Sequence, residues 1–435
     1  MTKRVGIIAD DLTGANDTGA QLIEKGINTS VFFGIPRQKN NVNPGIVIDT
    51  NSRALSQKEA ISATKEAAIF LQESGCPNIF KKIDSTLRGH IGVELLTIAN
   101  VFKPEFIIVA PALPFYGRTT RNGIHYVNGI EITNTEVAID PKHPVTESSI
   151  VNIIERETGL HVGLLTKDDL ECDIKSFTEK MKIYKANGLS IIVCDAESQE
   201  DLQQIVKKIN VISTDVIWVG SAGLAEAFSD ILVNNPKDTE NKLIYSRSKN
   251  VMTVCGTLSQ VAHDQVKYAI NKSGIYGVEV NTIKMFEDNW DENRKKYIKE
   301  CIHALEKNND IVLYVPSDKK VRTEIQKLQK KQNLSENQVG ERISYYIGEM
   351  VNEIVTNNGS LSGLVLTGGD TARDTVKHLG GNGFRLIKQI ESGIPLGVLI
   401  GTKKEITVVT KAGSFGMQDS IYNAMQELKG VSNND

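Results

Sequence analysis

Residues 5–19 read VGIIADDLTGANDTG. The apolar opening of this stretch predicts a short buried strand, and the carboxylates of Asp10 and Asp11 follow where that strand ends. We expect a Thr13-Gly14 turn next, and then a helix that starts at Thr18. Ligands of open α/β sheets bind beyond the carboxyl ends of the strands. The stretch therefore predicts a strand end that faces a ligand.

Apolar runs with β-branched residues alternate with helical patterns through nearly the whole chain. In the first half, the predicted strands are Val5–Ala9, Ile46–Thr50, Ile79–Ile83, Phe106–Ala110, Ile191–Asp195 and Val216–Val219. In the second half, they are Val251–Cys255, Tyr276–Val280, Ile311–Val315, Leu364–Thr367, Leu396–Ile400 and Ile406–Thr410. Segments 57–72 and 150–157 have helical patterns. This alternation is typical of mainly parallel sheets with helices on their faces, so we predict an α/β fold.

The polar stretch 234–248 lacks periodicity and is the best linker candidate. We predict two α/β domains, residues 1–233 and 250–435, joined by a linker over 234–249, with the active site in the cleft between them. The last two predicted strands flank a short turn, which predicts a hairpin at a sheet edge. The stretch 117–149 has few strand or helix signals and is expected to be irregular.

Composition excludes several classes of function. The 435 residues include 50 Lys and Arg against 53 Asp and Glu, a formal net charge of −3, so we expect no nucleic-acid partner. No apolar stretch approaches the roughly 18 to 20 residues that a membrane helix needs, and Asp10 and Asp11 interrupt the first apolar run too early for a signal peptide. We therefore expect no membrane partner.

The five cysteines are scattered and form no CxxC pair, which indicates reduced thiols and a cytoplasmic location. The seven histidines show neither an HExxH motif nor a Cys/His cluster. A zinc site held by protein ligands is therefore not expected, and no metal-ligating residue is assigned.

Four segments of the first half place charged side chains and a tight turn directly after a predicted strand. They are ADDLTGANDTG from Ala9, DTNSRAL from Asp49, KKIDSTLRG from Lys81 and PALPFYGRTTRNG from Pro111. Parallel strands would bring all four to one edge of the sheet. Guanidinium groups bind carboxylates through two parallel hydrogen bonds, while Asp and Ser side chains bond to hydroxyls. The four segments together predict a site for a small polyhydroxylated carboxylic acid.

Three glycine-bearing turns follow predicted strands in the second half. They are GTLSQVAHDQ at 256–265, LTGGDTA at 366–372 and KAGSFG at 411–416. Glycine lets a backbone approach a ligand closely, and the amides at a helix N-terminus attract phosphate, so these turns predict a nucleotide cradle. The chain has neither GxxxxGK[ST] nor GxGxxG, so we expect neither a P-loop nor the usual Rossmann site.

A phosphate-binding domain beside a hydroxy-acid-binding domain favours a small-molecule kinase. Positioning and charge neutralisation dominate phosphoryl transfer, and Mg²⁺ normally offsets the phosphate charge. A dehydrogenase or isomerase that acts on the same acids stays open as an alternative, and so does a non-catalytic sugar-acid sensor.

These segments resemble the four-carbon acid sugar kinases, a family long catalogued as a domain of unknown function. The resemblance extends over nearly the whole chain and also includes NGIHYVNG at 122–129 and ESGIPLG at 391–397. It implies an acid-sugar-binding domain over 1–233 and a nucleotide-binding domain over 250–435. It also implies phosphorylation by ATP of the terminal hydroxyl of a four-carbon sugar acid. The expected partners are that acid and ATP, with Mg²⁺ arriving with the nucleotide, and a homodimer is left open.

The resemblance also implies site residues. On the substrate side they are Asp11, Arg53, Lys82, Asp84 and Ser85. On the nucleotide side they are Ser259, Gly368, Gly369, Asp370, Thr371, Gly413, Ser414, Phe415 and Gly416.

The roles on the substrate side are hypotheses. Arg53 and Lys82 would bind the carboxylate of the acid, while Asp84 and Ser85 would hold hydroxyls. Asp11 is the favoured catalytic base or hydroxyl-orienting group, since a base must lie within about 2.6 to 3.2 Å of the proton that it takes. Asp84 could exchange roles with it, so both aspartates are candidate catalytic residues.

The chain departs from the family pattern in two places. It reads GTLS at 256–259 where relatives often read GSCS, and AGSFG at 412–416 where they often read SGNFG. Both segments keep glycine and a hydroxyl, so ATP binding is still expected. The Asn16-Asp17 pair resembles D-threonate and D-erythronate kinases more than 3-oxo-tetronate kinases, which stay the alternative. Asp10 is expected only to shape the turn.

Overall fold

The apolar run at the start of the chain forms strand β1 (Val5–Ala9), and all five of its residues are buried. It pairs in parallel with β3 (Gly45–Asp49) on one side and with β4 (Asn78–Lys82) on the other. The chain thus passes from one side of β1 to the other, which creates a topological switch point. Ligands of open α/β sheets bind outside the carboxyl ends of the strands at such a point.

The computed structural model describes residues 4–36, 43–140, 143–232 and 245–430. The chain divides into two units, Met1–Glu240 and Asn241–Asp435. Residues 234–244 of the predicted linker (234–249) lie outside the described residues, so the bounds of the linker stay a prediction.

The sheet of the first unit has the order β2-β3-β1-β4-β11-β5-β10-β9, and neighbouring strands in it pair in parallel. Its other strands are β2 (Thr29–Phe33), β5 (Phe106–Ala110), β9 (Gly163–Leu165), β10 (Ile191–Cys194) and β11 (Val216–Gly220). The helices of this unit are α1 (Leu12–Glu24), α2 (Gln57–Glu73), α3 (Ile91–Phe102), α4 (Ile150–Thr158), α5 (Lys167–Glu171), α6 (Ile174–Ala186), α7 (Gln199–Ile212) and α8 (Ala222–Asp230). The predicted strands and the helices predicted at 57–72 and 150–157 are confirmed, while β2 and β9 were not predicted.

Helix α1 begins earlier than expected, at Leu12 rather than at Thr18. The side chain of Asp11 is its N-cap and accepts a hydrogen bond of 2.9 Å from the amide of Gly14. Aspartate is among the strongest N-cap residues because its carboxylate satisfies a free amide of the first turn. The Thr13-Gly14 pair therefore forms the first turn of the helix instead of a turn before it.

The stretch 117–149, expected to be irregular, contains a small antiparallel sheet of β6 (Arg118–Arg121), β7 (Ile124–Val127) and β8 (Ile130–Glu131). Two Asn-Gly pairs connect these strands. Asn122 and Gly123 have φ of 51° and 73°, and Asn128 and Gly129 have φ of 52° and 79°. Two-residue hairpin turns with positive φ at both positions favour Asn-Gly, and this is the signal that the prediction overlooked.

The sheet of the second unit has the order β13-β14-β12-β15-β18-β17-β16. Its strands are β12 (Asn250–Cys255), β13 (Ile275–Glu279), β14 (Asp310–Tyr314), β15 (Leu361–Thr367), β16 (Gly383–Glu391), β17 (Ile394–Ile400) and β18 (Thr407–Lys411). Its helices are α9 (Gln260–Ile270), α10 (Trp290–Glu306), α11 (Lys319–Gln332), α12 (Glu336–Asn357), α13 (Gly369–His378) and α14 (Ser420–Lys429). The pairings are parallel from β13 to β18 and antiparallel beyond.

The predicted hairpin exists as β17 and β18, but its place at a sheet edge is wrong. Strand β18 also pairs with β15, and β17 also pairs with β16. The prediction missed β16 because its sequence GFRLIKQIE mixes charged and apolar residues, as a strand with a half-exposed face does.

Within the described residues, no helix is both long enough and apolar enough to cross a bilayer. The homodimer and the cytoplasmic location stay predictions.

Candidate active site

Arg53 holds the two aspartates that follow β1. Its Nε and Nη2 donate to Oδ2 and Oδ1 of Asp10 at 2.9 and 3.0 Å, and its Nη1 donates to Oδ2 of Asp11 at 3.0 Å. The side chain of Asp10 is 4% exposed and that of Arg53 is 16% exposed. Asp10 does more than shape the turn, because its carboxylate accepts two parallel hydrogen bonds from Arg53 in a largely buried ion pair.

Lys82 ends β4 and brings a second cation to the same place. It is 6% exposed, and its Nζ donates to the carbonyl of Ile83 at 3.0 Å. A Cβ built on Gly14 would lie 2.7 Å from this Nζ and 3.0 Å from Oδ1 of Asp11. Glycine at the start of α1 therefore leaves the room in which the ammonium lies beside the Asp11 carboxylate.

The segment after β4 folds back over the Asp10–Arg53 pair. Asp84 accepts hydrogen bonds at its Oδ2 from Thr86 Oγ1 at 2.6 Å and from Arg88 Nε at 2.5 Å. Gly89 has a φ of 103°, and a Cβ there would lie 3.5 Å from Oδ2 of Asp10. The first three charged segments thus meet at one sheet edge, as the prediction required.

The four acidic groups of this cluster fall into two electrostatic classes. Burial favours the neutral form of each, but Arg53 and neighbouring lysines outweigh it at Asp10 and lower its pKa. At Asp84, Arg53 and Arg88 likewise outweigh burial and hold the pKa well below its usual range. At Asp11 burial prevails over Arg53 and raises the pKa, and at Asp17 burial raises the pKa to about 6.

Ser85 is fixed through its backbone. Nε2 of the buried His125, on β7, donates to the carbonyl of Ser85 at 2.8 Å, and Nδ1 of the same ring lies 3.0 Å from Thr120 Oγ1. Since a carbonyl can only accept, the proton is on Nε2 and Nδ1 accepts from Thr120. Burial lowers the pKa of His125 to about 4, so the ring is neutral at pH 7. The segment from Pro111, through Thr120 and the neighbouring His125, therefore supports Ser85 in the segment from Lys81.

The structure brings together all five predicted substrate residues, Asp11, Arg53, Lys82, Asp84 and Ser85, within the first unit. The prediction used Asp17 only as a hint of the subfamily and gave it no place in the site. His125 lies in a predicted family motif but was given no role, and the pairing of this residue with Ser85 spans 40 positions of the chain.

In the second unit, the three glycine turns converge. A Cβ on Gly256 would lie 2.1 Å from Thr371 Oγ1, and a Cβ on Gly413 would lie 2.5 Å from Thr257 Oγ1 and 3.1 Å from Ser259 Cβ. A Cβ on Gly368, whose φ is 100°, would lie 3.3 Å from Thr257 Cβ. The turns after β12, β15 and β18 therefore pack backbone against side chain, as in a cradle for a ligand at the carboxyl ends of these strands.

Gly369 differs from these glycines, because a Cβ there would meet nothing within 4 Å. It begins α13, followed by the exposed Asp370 and the buried Thr371. The backbone amides of this first turn lie at the positive end of the helix dipole, which suits a phosphate group.

The turn from Ser414 to Gly416 is held by Gln265 of α9, which is 1% exposed. Its Nε2 donates to the carbonyls of Phe415 at 3.0 Å and of Met417 at 2.7 Å. All nine predicted nucleotide residues lie on the three converging turns, and the cleft between the domains stays a predicted location for the reaction.

Comparisons with known proteins agree with this division. The model of a sugar-binding N-terminal domain matches residues 5–228, and that of a nucleotide-binding C-terminal domain matches residues 252–421. A D-threonate kinase of Salmonella typhimurium is 30% identical over 97% of this chain and 98% of its own length. A D-erythronate kinase of Heliobacterium modesticaldum is 28% identical over 98% and 97%, and a 3-oxo-tetronate kinase of Actinobacillus succinogenes is 26% identical over 95% and 97%.

Among solved structures, a Haemophilus influenzae protein of the DUF1537 family has a TM-score of 0.78 at 23% identity and covers 97% of this chain and 100% of that one. This likeness shows the shared fold, and the two domain models together match most of the sequence. The chain belongs to the four-carbon acid sugar kinase family.

Proposed function

We propose that the chain transfers the γ-phosphoryl group of ATP to the 4-hydroxyl of D-threonate or D-erythronate. Its family makes it an ATP-dependent sugar-acid kinase, and the identity of the acid is what we propose. One observation supports a hydroxylated acid as the substrate: buried or half-buried cations and carboxylates of different pKa share the sheet edge at Asp10, Asp11, Arg53 and Lys82. A hydroxylated carboxylic acid needs both kinds of partner.

Lys82 is the cation that can bind the carboxylate of the acid. Its ammonium has three N–H groups, and the described residues engage one of them, at the Ile83 carbonyl. Each of the three guanidinium nitrogens of Arg53 donates one hydrogen bond to Asp10 or Asp11. We therefore assign Arg53 chiefly to positioning these aspartates, with its remaining N–H groups available to the acid.

Asp11 is the favoured base. Its pKa is raised by burial, whereas the pKa of Asp84 is held low by two guanidinium groups, so Asp11 accepts a proton more readily. Asp84 better serves as a fixed anion that accepts from hydroxyls together with Ser85. We expect Asp11→Asn to lower kcat by a factor of about 100 or more, as general bases commonly contribute. A kcat within a few-fold of wild type would refute this assignment.

ATP brings Mg²⁺, which neutralises phosphate charge in such reactions. The exposed carboxylate of Asp370 offers an oxygen ligand of the kind that Mg²⁺ prefers, in the same turn as Gly369. The chain itself binds the nucleotide through the three glycine turns.

A coupled assay of ADP release tests the proposal. The purified full chain is given MgATP and, separately, D-threonate, L-threonate, D-erythronate, L-erythronate and the 3-oxo acids. The proposal expects the largest kcat/KM with D-threonate or D-erythronate. A clear preference for a 3-oxo acid contradicts the substrate assignment, and no release above background with any acid contradicts the kinase activity.

A further inference from the structure

Lys411, the last residue of β18, is a buried lysine that the predicted site does not include. Lys411 is 3% exposed, and its Nζ donates to the carbonyl of Ala412 at 2.9 Å. Within the described residues, no carboxylate forms an ion pair with it. An ammonium has three N–H groups, so two of them have no acceptor in this part of the chain.

The backbone of Lys411 is locked into the nucleotide turns. Its carbonyl accepts a hydrogen bond of 3.0 Å from the amide of Gly368, and in the β15–β18 register it lies opposite Thr367. Two residues later, Gly413 packs against Thr257 and Ser259. The lysine therefore stands where the three glycine turns converge.

Lys82 in the first unit has the same local arrangement. Each lysine is the last residue of a strand that has a parallel neighbour, each is at least nine-tenths buried, and each donates to the carbonyl of the residue that follows it. Lys82 faces the proposed sugar-acid site. Lys411 stands in the corresponding place at the nucleotide turns.

Burying an ammonium is costly unless an anion compensates it. The charged or titratable neighbours of Lys411 are the thiol of Cys255 and the carboxylate of Glu391, which already accepts a hydrogen bond of 2.5 Å from Ser420 Oγ. Burial lowers the pKa of Lys411 to about 8, so these neighbours do not fully offset the cost. An arriving anion would do so.

We propose that Lys411 binds the phosphate groups of the nucleotide through its ammonium. The inference rests on the proposed function, since it presumes that the second unit binds ATP, and it adds a residue to the set that the sequence indicated. The glycine turns supply backbone amides, and Lys411 supplies the full positive charge among them.

Titration calorimetry of the full chain tests this proposal, with MgADP and adenosine as probes. We expect Lys411→Met to weaken MgADP binding at least 30-fold and adenosine binding less than three-fold, because adenosine lacks phosphate. Lys403→Met, which changes an exposed lysine of the same unit, should leave both affinities unchanged. Equal MgADP affinity in Lys411→Met and wild type overturns the proposal, and so does an equal loss for MgADP and adenosine, which indicates a structural role.

A second measurement uses the wild-type chain and does not depend on how the variant folds. MgADP binding at pH 8 is measured in two buffers of different ionisation enthalpy. With a pKa of about 8, Lys411 is about half protonated, so phosphate binding should draw up to about half a proton from the buffer. Binding without proton uptake overturns the proposal, whereas a wild-type chain that binds no MgADP overturns the proposed function itself.

Discussion

Arg53 donates two parallel hydrogen bonds to Asp10, from Nε at 2.9 Å and from Nη2 at 3.0 Å, and both side chains are largely buried. The pair closes one side of the sheet edge at which β1 ends. Because the third nitrogen of the same guanidinium reaches Asp11, the orientation of the favoured base depends on this pair.

Arg53→Lys should therefore impair catalysis while preserving charge. Lysine lacks the planar fork that bonds to Asp10 and Asp11 together, so the base loses its fixed position. Misplacement by about 1 Å can lower a rate about 100-fold, and we expect a fall of that order in kcat/KM for the sugar acid. MgADP affinity should not change. The exposed Arg156→Lys is the matched control, and full activity in Arg53→Lys would show that the fork is dispensable.

Gly14→Ala should weaken sugar-acid binding by displacing Lys82. The added methyl group would lie 2.7 Å from Nζ, closer than real contacts allow, and 3.0 Å from both Lys82 Cγ and Asp11 Oδ1, so the lysine side chain must shift. We expect KM for the acid to rise at least 10-fold, with the MgADP affinity retained. Gly340→Ala in α12, where a Cβ meets nothing within 4 Å, should leave kinetics unchanged. Wild-type KM in Gly14→Ala would mean that Lys82 does not bind the acid.

The sequence predicted the elements of the site better than their contacts. Apolar runs such as Phe106–Ala110 locate parallel strands because both faces of such strands are buried, and strand ends locate ligand-binding loops. The sequence does not specify which partner a charged side chain finds. Arg53 suits a substrate carboxylate as well as Asp10 and Asp11, and only the folded chain places it, in the short 3-10 helix Ser52–Ala54, beside the two aspartates.

Helix starts and short hairpins were also predictable in principle. The N-cap at Asp11 and the two Asn-Gly turns follow local rules, and both were visible in the sequence. The burial of Lys411 was not, since a lysine after TVVT gives no sign that its own turn packs beside two turns that are distant in sequence.

His125→Phe tests the support beneath Ser85. Phenylalanine fills the space but leaves the Ser85 carbonyl and the Thr120 hydroxyl without their ring partners, at a cost of about 1 to 3 kcal/mol in unfolding free energy. We also expect a higher KM for the sugar acid. His125→Gln, whose amide can donate to the carbonyl, should recover part of both losses. His161→Phe changes a side chain that is 93% exposed and should have neither effect.

Asp17 should give the stability of the chain a distinct pH dependence. Burial raises its pKa to about 6 in the folded chain, against about 3.9 when unfolded. Its contribution to stability is therefore fully present below about pH 4 and is lost as pH rises through 6. Asp17→Asn stays neutral, so its Tm relative to wild type should climb between pH 4 and 7 and then level off. A Tm difference that is constant over this range would contradict the raised pKa.

Alanine substitutions at Gly369 and Gly256 distinguish a glycine that contacts the nucleotide from one that is needed for packing within the protein. Gly256→Ala places a methyl carbon 2.1 Å from Thr371 Oγ1, so both Tm and MgATP affinity should fall. Gly369→Ala meets nothing in the protein, and alanine favours helix by about 0.5 to 1 kcal/mol over glycine, so Tm should hold or rise. If the phosphates approach the first turn of α13, the methyl group stands in their way, and MgATP affinity in Gly369→Ala should fall at least 10-fold. Unchanged affinity would place the nucleotide away from this turn. The added methyl group touches nothing else in the protein, so a loss of affinity can only come from its contact with the nucleotide.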